Sequence, residues 1–509
     1  MAAPSEPSDY PELREADAAG MVAPQVPPST APIRVAPILD SIITPQKKYL
    51  VGGAATYSLI LRVAAPAIGE QVLGALIGLT DVIIAGHLPG NADVVSAASA
   101  AVGLMTYLQW FAGLMTAAMA TGATAIVSRA IGSRRIGVAN RVAGTAISAA
   151  FIVSIATSIL MFVFAHQIAA LCGLVGLAAK FAAEYLRIMV VTISLQTSGQ
   201  IGMACVRGAG DTVRPMRITF LVMLVNLVTS TAFAFGWFGA PAWGLRGDAF
   251  GTMLAYLAGG ICTAIVLLGH STPLRIKLRH LKIVPHVLMR ILRIGIPSWM
   301  EGVLLWGGQF LIVVFVMNTR TDPNGFTLAA HSVVLRIESL SFLPGFGFQI
   351  AASALVGQYL GAGKPQEAKR AAVLANTLGC ITMTLLAIPM VLAPHFMLSL
   401  LVNSPPVVAV GVWPMILAGL AQPGFAIAIV LSGALRGAGE TILPMINTVT
   451  GIFVIRLGVL ALCMWYIIAH HIYGANLTAV WIAIFVDLNY RAVFSYIVFH
   501  RGKWLDRKV

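Results

Sequence analysis

The chain has 509 residues, of which 58% are hydrophobic and only 10% charged, and its mean hydropathy is +0.87. A soluble domain of this size does not carry so few charges, so the composition excludes one and calls for several membrane spans. The net charge of +14 raises the question of nucleic acid, but the basic residues are scattered between apolar runs, which excludes that partner in favour of a charge bias across a bilayer.

Residues 1–49 differ from the rest. PSEPSDYPELREADAAG and APQVPPSTAPIRVAP are rich in Pro, Ala and acidic residues. No apolar segment follows a basic start, so the stretch does not read as a signal peptide. It reads as a disordered cytoplasmic tail.

The first apolar run, LILRVAAPAIGEQVLGALIGLTDVIIAGH (59–87), is long enough to cross a bilayer, which takes about 20 mostly apolar residues. It carries two carboxylates, Glu70 and Asp81. A carboxylate at membrane depth is unfavourable and usually faces a polar interior, where it does something. Eleven residues separate the two acids, which returns to within about 20° of the same helix face at a separation of about 16 Å. The expectation is one cavity lined by both. The plainer alternative is that Asp81 ends the helix and Glu70 pairs with Arg62 or another cation.

Twelve spans are expected near 57–85, 93–127, 138–165, 181–206, 213–237, 247–269, 288–317, 327–357, 369–393, 407–433, 443–469 and 475–499. Bases crowd alternate connections. Arg129, Arg134, Arg135 and Arg141 follow the second span, and Arg207, Arg214 and Arg217 flank the fourth connection. Arg275, Lys277, Arg279 and Lys282 fill the sixth, Lys364, Lys369 and Arg370 follow the eighth span, and Arg501, Lys503, Arg507 and Lys508 close the chain. The other connections hold few bases: Lys180, Arg246 and Arg320. The even connections and both termini are therefore expected in the cytoplasm. The five cysteines show no paired spacing and imply neither disulfide nor metal framework.

The chain repeats itself. LRVAAPAIGE (61–70) matches LRIGIPSWME (292–301) at an offset of 231, so Glu70 recurs as Glu301. ATAIVSRAIGSRRIGVANR (123–141) aligns with ASALVGQYLGAGKPQEAKR (352–370), and RGAGDTVRPM (207–216) with RGAGETILPM (436–445), both at 229. The expected fold is an all-α polytopic membrane protein of two homologous six-helix lobes, 50–272 and 287–502. A basic cytoplasmic connection (273–286) joins them, and a basic tail (503–509) follows. Six spans per repeat give both lobes one orientation, with a binding site at their interface.

These segments, with LAAHSVVLRIESLSFLPGFGFQIAASALVGQYLGAG and the closing RGKW, resemble the multidrug and toxic compound extrusion (MATE) family, and within it the bacterial DinF-like branch. The resemblance covers nearly everything after the tail. It implies a twelve-helix, two-lobed exporter of organic, often cationic, compounds, driven by exchange for H+ or Na+ and working by alternating access. It implies that Asp81 holds the coupling ion and that Asn226, on the fifth span, lies near it. Some relatives carry an acid four residues later, where this chain has Ser230. NorM-type members carry acids where this chain has Phe425 and Leu305, so their C-terminal ion site does not transfer. The lack of the fifth-span acid favours H+ over Na+, although Na+ at Asp81 stays open.

The remaining motifs have structural readings. RGAGDT and RGAGET lack Walker lysines and a preceding strand, so they read as tight turns with Asp211 and Glu440 capping the next helix. Glu301, Arg336, Glu338, Arg456, Asp487 and Arg491 are candidates for gating or structural ion pairs, with Asp487 and Arg491 spaced i, i+4. His331 reads as polar packing. Pro66, Pro297, Pro389 and Pro423 can kink spans. No catalytic cluster or cofactor motif appears, so an enzyme acting on a lipid-linked substrate, or a flippase for lipid-linked precursors, is the lesser reading. A monomer in the cytoplasmic membrane, with small organic substrates as its only ligands beside the lipid, is the expected state.

Overall fold

The computed structural model describes residues 53–89, 91–269, 272–317, 325–470 and 476–507. The expected tail over residues 1–49 lies outside the described residues. The long helices are α1 (Tyr57–Gly86), α2 (Ala92–Gly132), α3 (Ile136–Val163), a short α4 (Ala165–Leu171), α5 (Gly176–Gly208), α6 (Val213–Phe235) and α7 (Leu245–Leu268) in the first half. The second half holds α8 (Pro285–Met317), α9 (Phe326–Gly361), α10 (Pro365–Leu392), a short α11 (Pro394–Ser399), α12 (Pro405–Gly437), α13 (Ile442–Val449), α14 (Leu457–Ala469) and α15 (Asn476–His500). A π-helical segment, Thr450–Arg456, joins α13 to α14 in one continuous span. No strand occurs among the described residues. Among the described residues ten of the spans are long and apolar enough to cross a membrane, and α2 and α8 complete twelve long helices.

The spans alternate in direction, so the connections bearing Arg134, Asp211, Arg279, Lys364 and Glu440 gather at one end, the basic end. Both RGAG turns do what glycine makes easy there, with Gly210 at φ 95° and Gly439 at φ 82°. Asp211 accepts the amide of Arg214, and Glu440 accepts the amides of Ile442 and Leu443, so each acid caps the following helix.

At the basic end each half borrows a helix from the other. The start of α8, with Val287, Ile291 and Ile294, is buried in a core formed by α2, α3 and α5. The start of α1, with Ile60, Val63 and Ala64, is buried among α9, α10 and α12. The lobe boundaries are thus interlocked at this end. Glycine sets the approach: a Cβ on Gly132 would stand 2.0 Å from the carbonyl oxygen of Gln358, and one on Gly361 2.1 Å from that of Arg129. The sixth connection is folded down, since the Arg275 amide donates to Asn140 at 2.8 Å. The basic tail is docked as well: Trp504 is buried and donates to the Phe499 carbonyl, and Arg507 pairs with Glu440.

Candidate functional site

Asp81 is 7% exposed, in the interior of the first half. One carboxylate oxygen accepts hydrogen bonds from the Asn226 amide and the Thr252 hydroxyl, both at 3.1 Å. Asn226 also donates towards Thr252 at 2.9 Å and Ser230 at 3.2 Å, and the Ser230 hydroxyl reaches the Asp248 carbonyl oxygen at 3.2 Å. Three helices therefore meet at one polar cluster: α1 through Asp81, α6 through Asn226 and Ser230, and α7 through Asp248 and Thr252. The expectation that Asn226 lies beside Asp81 holds, and Ser230 belongs to the same cluster.

The close approach of α6 and α7 makes the cluster. Gly247 and Gly251 form a small-xxx-small pair on α7, a pattern that lets two backbones touch in a membrane. A Cβ on Gly247 would meet the Phe233 carbonyl oxygen at 2.0 Å, and one on Gly251 the Ser230 amide nitrogen at 2.2 Å. The Thr80 hydroxyl, next to Asp81 in sequence, donates to the Leu76 carbonyl of its own helix. Thr252 supplies the hydroxyl.

Glu70 faces the same interior but not the same partners. Its carboxylate pairs with Arg207 of α5 at 2.5 Å and lines a cavity of about 360 Å³ with Gln71, Gln196, Gln200 and Tyr256. Asp81 is not among the lining residues. The shared helix face is present, but the single shared cavity is not. The alternative of a paired Glu70 holds, with Arg207 rather than Arg62 as the cation. The pair recurs in the second half. Glu301 pairs with Arg436 at 2.8 Å and accepts the Thr448 hydroxyl at 3.0 Å.

Four further buried charges of the second half, Glu338, Arg456, Asp487 and Arg491, form one network. Asp487 binds Arg491 at 2.7 Å and Arg456 at 2.6 Å, and Arg456 donates to Gln309 at 3.0 Å. Arg456, which the sequence left without a partner, thus has one in Asp487. Glu338 is buried, accepts from Gln422 at 3.4 Å, and stands within electrostatic reach of Arg456. Arg336 is exposed on the other face of α9. His331 is buried against Trp481, with ring centroids 5.8 Å apart.

Sequence reasoning missed Asp248 and Thr252. Asp248 is fully buried, and neither of its carboxylate oxygens has a hydrogen-bond partner among the described residues. The signal was present as GDAFG (247–251), an acid inside a small-xxx-small pair at the start of an apolar span. An acid in a first turn reads as a helix-end residue, which hides it.

Twelve long helices, two repeated halves and a carboxylate cluster sheltered from lipid define a polytopic membrane transporter. The MatE family model matches residues 66–231 and again 297–462, and the protein belongs to that family, whose members are transporters rather than enzymes. The chain is 29% identical over 458 residues to a probable multidrug resistance protein NorM of Thermotoga maritima, covering 88% of this chain and 93% of that one. Its fold is similar to that of a MATE-family multidrug resistance transporter of the MOP superfamily solved in an outward-facing conformation, at TM-score 0.79 and 21% identity over 91% of this chain and all of the other. A MOP superfamily transporter from Pyrococcus furiosus matches equally, at TM-score 0.79, 21% identity and the same coverage.

Proposed function

We propose that this protein exports small organic compounds, cationic or amphipathic, across the cytoplasmic membrane in exchange for protons, acting as a monomer by alternating access. The carrying observation is Asp81: a carboxylate shut away from lipid and water, with hydrogen-bond donors on one oxygen and no lysine or arginine paired with it among the described residues. Such a group is neutral when it holds a proton and charged when it does not, so proton binding changes the charge of the lobe interior. A cationic solute entering between the lobes competes with that proton, which links the two movements. The relative named as a multidrug resistance protein supports compound export.

The alternating basic connections support a cytoplasmic basic end and cytoplasmic termini. The lobes, 50–272 and 287–502, rock against each other and open the cleft alternately to either side. Proteoliposomes with ethidium inside and imposed H+ or Na+ gradients test this reading. Ethidium movement driven by a pH gradient is the expected result. Movement driven by Na+ at equal pH overturns the proton assignment, and no gradient-driven movement of any cationic dye overturns export.

A further inference from the structure

We infer that Asp248 is a second coupling carboxylate, so that the closed site in the first half holds two exchangeable protons, one on Asp81 and one on Asp248. The inference rests on the export reading above and deepens it.

The two halves bury their charges differently. In the second half Arg456 and Arg491 face Asp487 and Glu338, so two positive charges meet two negative ones and the network needs nothing more. The first half has no such balance. Asp81 and Asp248 are both buried in one cluster and lie within electrostatic reach of each other. The groups facing them are Tyr185 of α5, Asn226 and Ser230 of α6, and Thr252 and Tyr256 of α7. None of these is a base.

The bases on the surrounding helices are engaged elsewhere. Arg246 pairs with Glu184 at 2.7 Å on the surface, Arg207 pairs with Glu70, and Arg214 pairs with Asp211 at the basic end. Lys180 is exposed, and Arg187 stands over the Phe162 ring at 5.9 Å. Two bare carboxylates in a site with no compensating cation are strongly unfavourable. Protons meet that need with no further ligand.

The hydrogen bonds give the two acids different parts. Asp81 is met by two donors, which suit its charged form. Asp248 faces the Ser230 and Tyr185 hydroxyls, but neither of its carboxylate oxygens has a donor in full hydrogen-bond geometry, and the Asn226 side-chain oxygen of the same cluster also lacks one. A protonated Asp248 supplies an O–H to an acceptor of this kind. On release, each acid breaks its O–H bond, keeps the electron pair on the carboxylate and passes a proton to water. The cation the transporter carries meets one of the two charges that then develop, and the other rests on Asp81 with its two donors.

The test is the proton-to-ethidium ratio of the full-length protein in liposomes, read from the ethidium gradient at which net flux stops under a fixed pH gradient with the membrane potential clamped at zero. The wild type should exchange two protons per ethidium. Asp248→Asn should exchange one and still run uphill, and Asp248→Glu should restore two. Size-exclusion profiles of the three proteins guard against misfolding. If Asp248→Asn fails to fold, the wild-type ratio decides, and a value of one overturns the inference. A ratio of two in the folded Asn variant also overturns it, while leaving the export reading intact. A wild type that moves no dye under either gradient overturns the export reading and this inference together.

Discussion

Arg129 and Gln358 occupy equivalent positions in the two repeats, 229 residues apart, and each reaches across to the other half. Arg129 donates to the Ala438 carbonyl at 3.0 Å, and Gln358 donates to the Gly208 carbonyl at 2.9 Å. Both acceptors belong to the repeated RGAG turns. The two bonds form a clasp with approximate two-fold symmetry at the basic end, completed by a bond of 2.6 Å from Arg129 to the Arg507 carbonyl.

Removing the clasp should favour opening at the basic end. A net hydrogen bond is worth about 1 kcal/mol, and one from a charged donor about 1.5–3 kcal/mol. Arg129→Ala with Gln358→Ala should therefore shift the balance between closed and open basic ends at least tenfold. Spin labels on the second and eighth helices near this end should report longer distances in the double variant than in the wild type. Unchanged distances would dismiss the clasp as a gate.

Asp81→Asn should insert and purify as the wild type does, because an amide is less unfavourable in the membrane than a carboxylate. It should lose uphill export, because an amide has no proton to give up. Gradient-driven dye efflux from liposomes measures this directly, and undiminished efflux by the variant would remove Asp81 from the coupling role.

The Glu70–Arg207 pair is mostly buried, with side-chain exposures of 11% and 19%. Its rupture should cost about 2 kcal/mol, between the values typical of surface and buried pairs. Arg207→Ala alone leaves Glu70 charged and unpaired and should lower the thermal midpoint in detergent. Glu70→Gln combined with Arg207→Gln should recover most of the loss. A double variant no better than Arg207→Ala would show that the pair contributes little.

Asp487 is the shared acid of two buried arginines. Asp487→Ala leaves both without it and should destabilise the protein by about 3–5 kcal/mol. Detergent extracts of the variant should give an aggregated rather than a monodisperse size-exclusion peak. Arg336→Ala, on an exposed face of the same half, should run as the wild type does.

The sequence reading went wrong or fell short where partners come from distant helices. Glu70 and Asp81 lie on one face of α1, as eleven residues of helix require. Yet Glu70 is claimed by Arg207, 137 residues later, and the cavity it lines does not include Asp81. Arg456 found its acid on α15, and Asp248 stayed hidden because its burial depends on how α6 and α7 cross.

What the sequence determined by itself was set by local chemistry. Apolar runs of bilayer length give the spans, Gly210 and Gly439 give the repeated turns, and the spacing of Asp487 and Arg491 gives their ion pair. Helix geometry and the low charge content decide these without reference to the rest of the chain. The joining of Thr252 and Asp248 to Asp81 and Asn226 was decided only by tertiary structure. These residues sit on three helices, and no periodicity records which helix packs against which. The contact of Gly247 and Gly251 with the α6 backbone decides it, because only there can α6 and α7 come close enough to bring their polar groups to the same carboxylate.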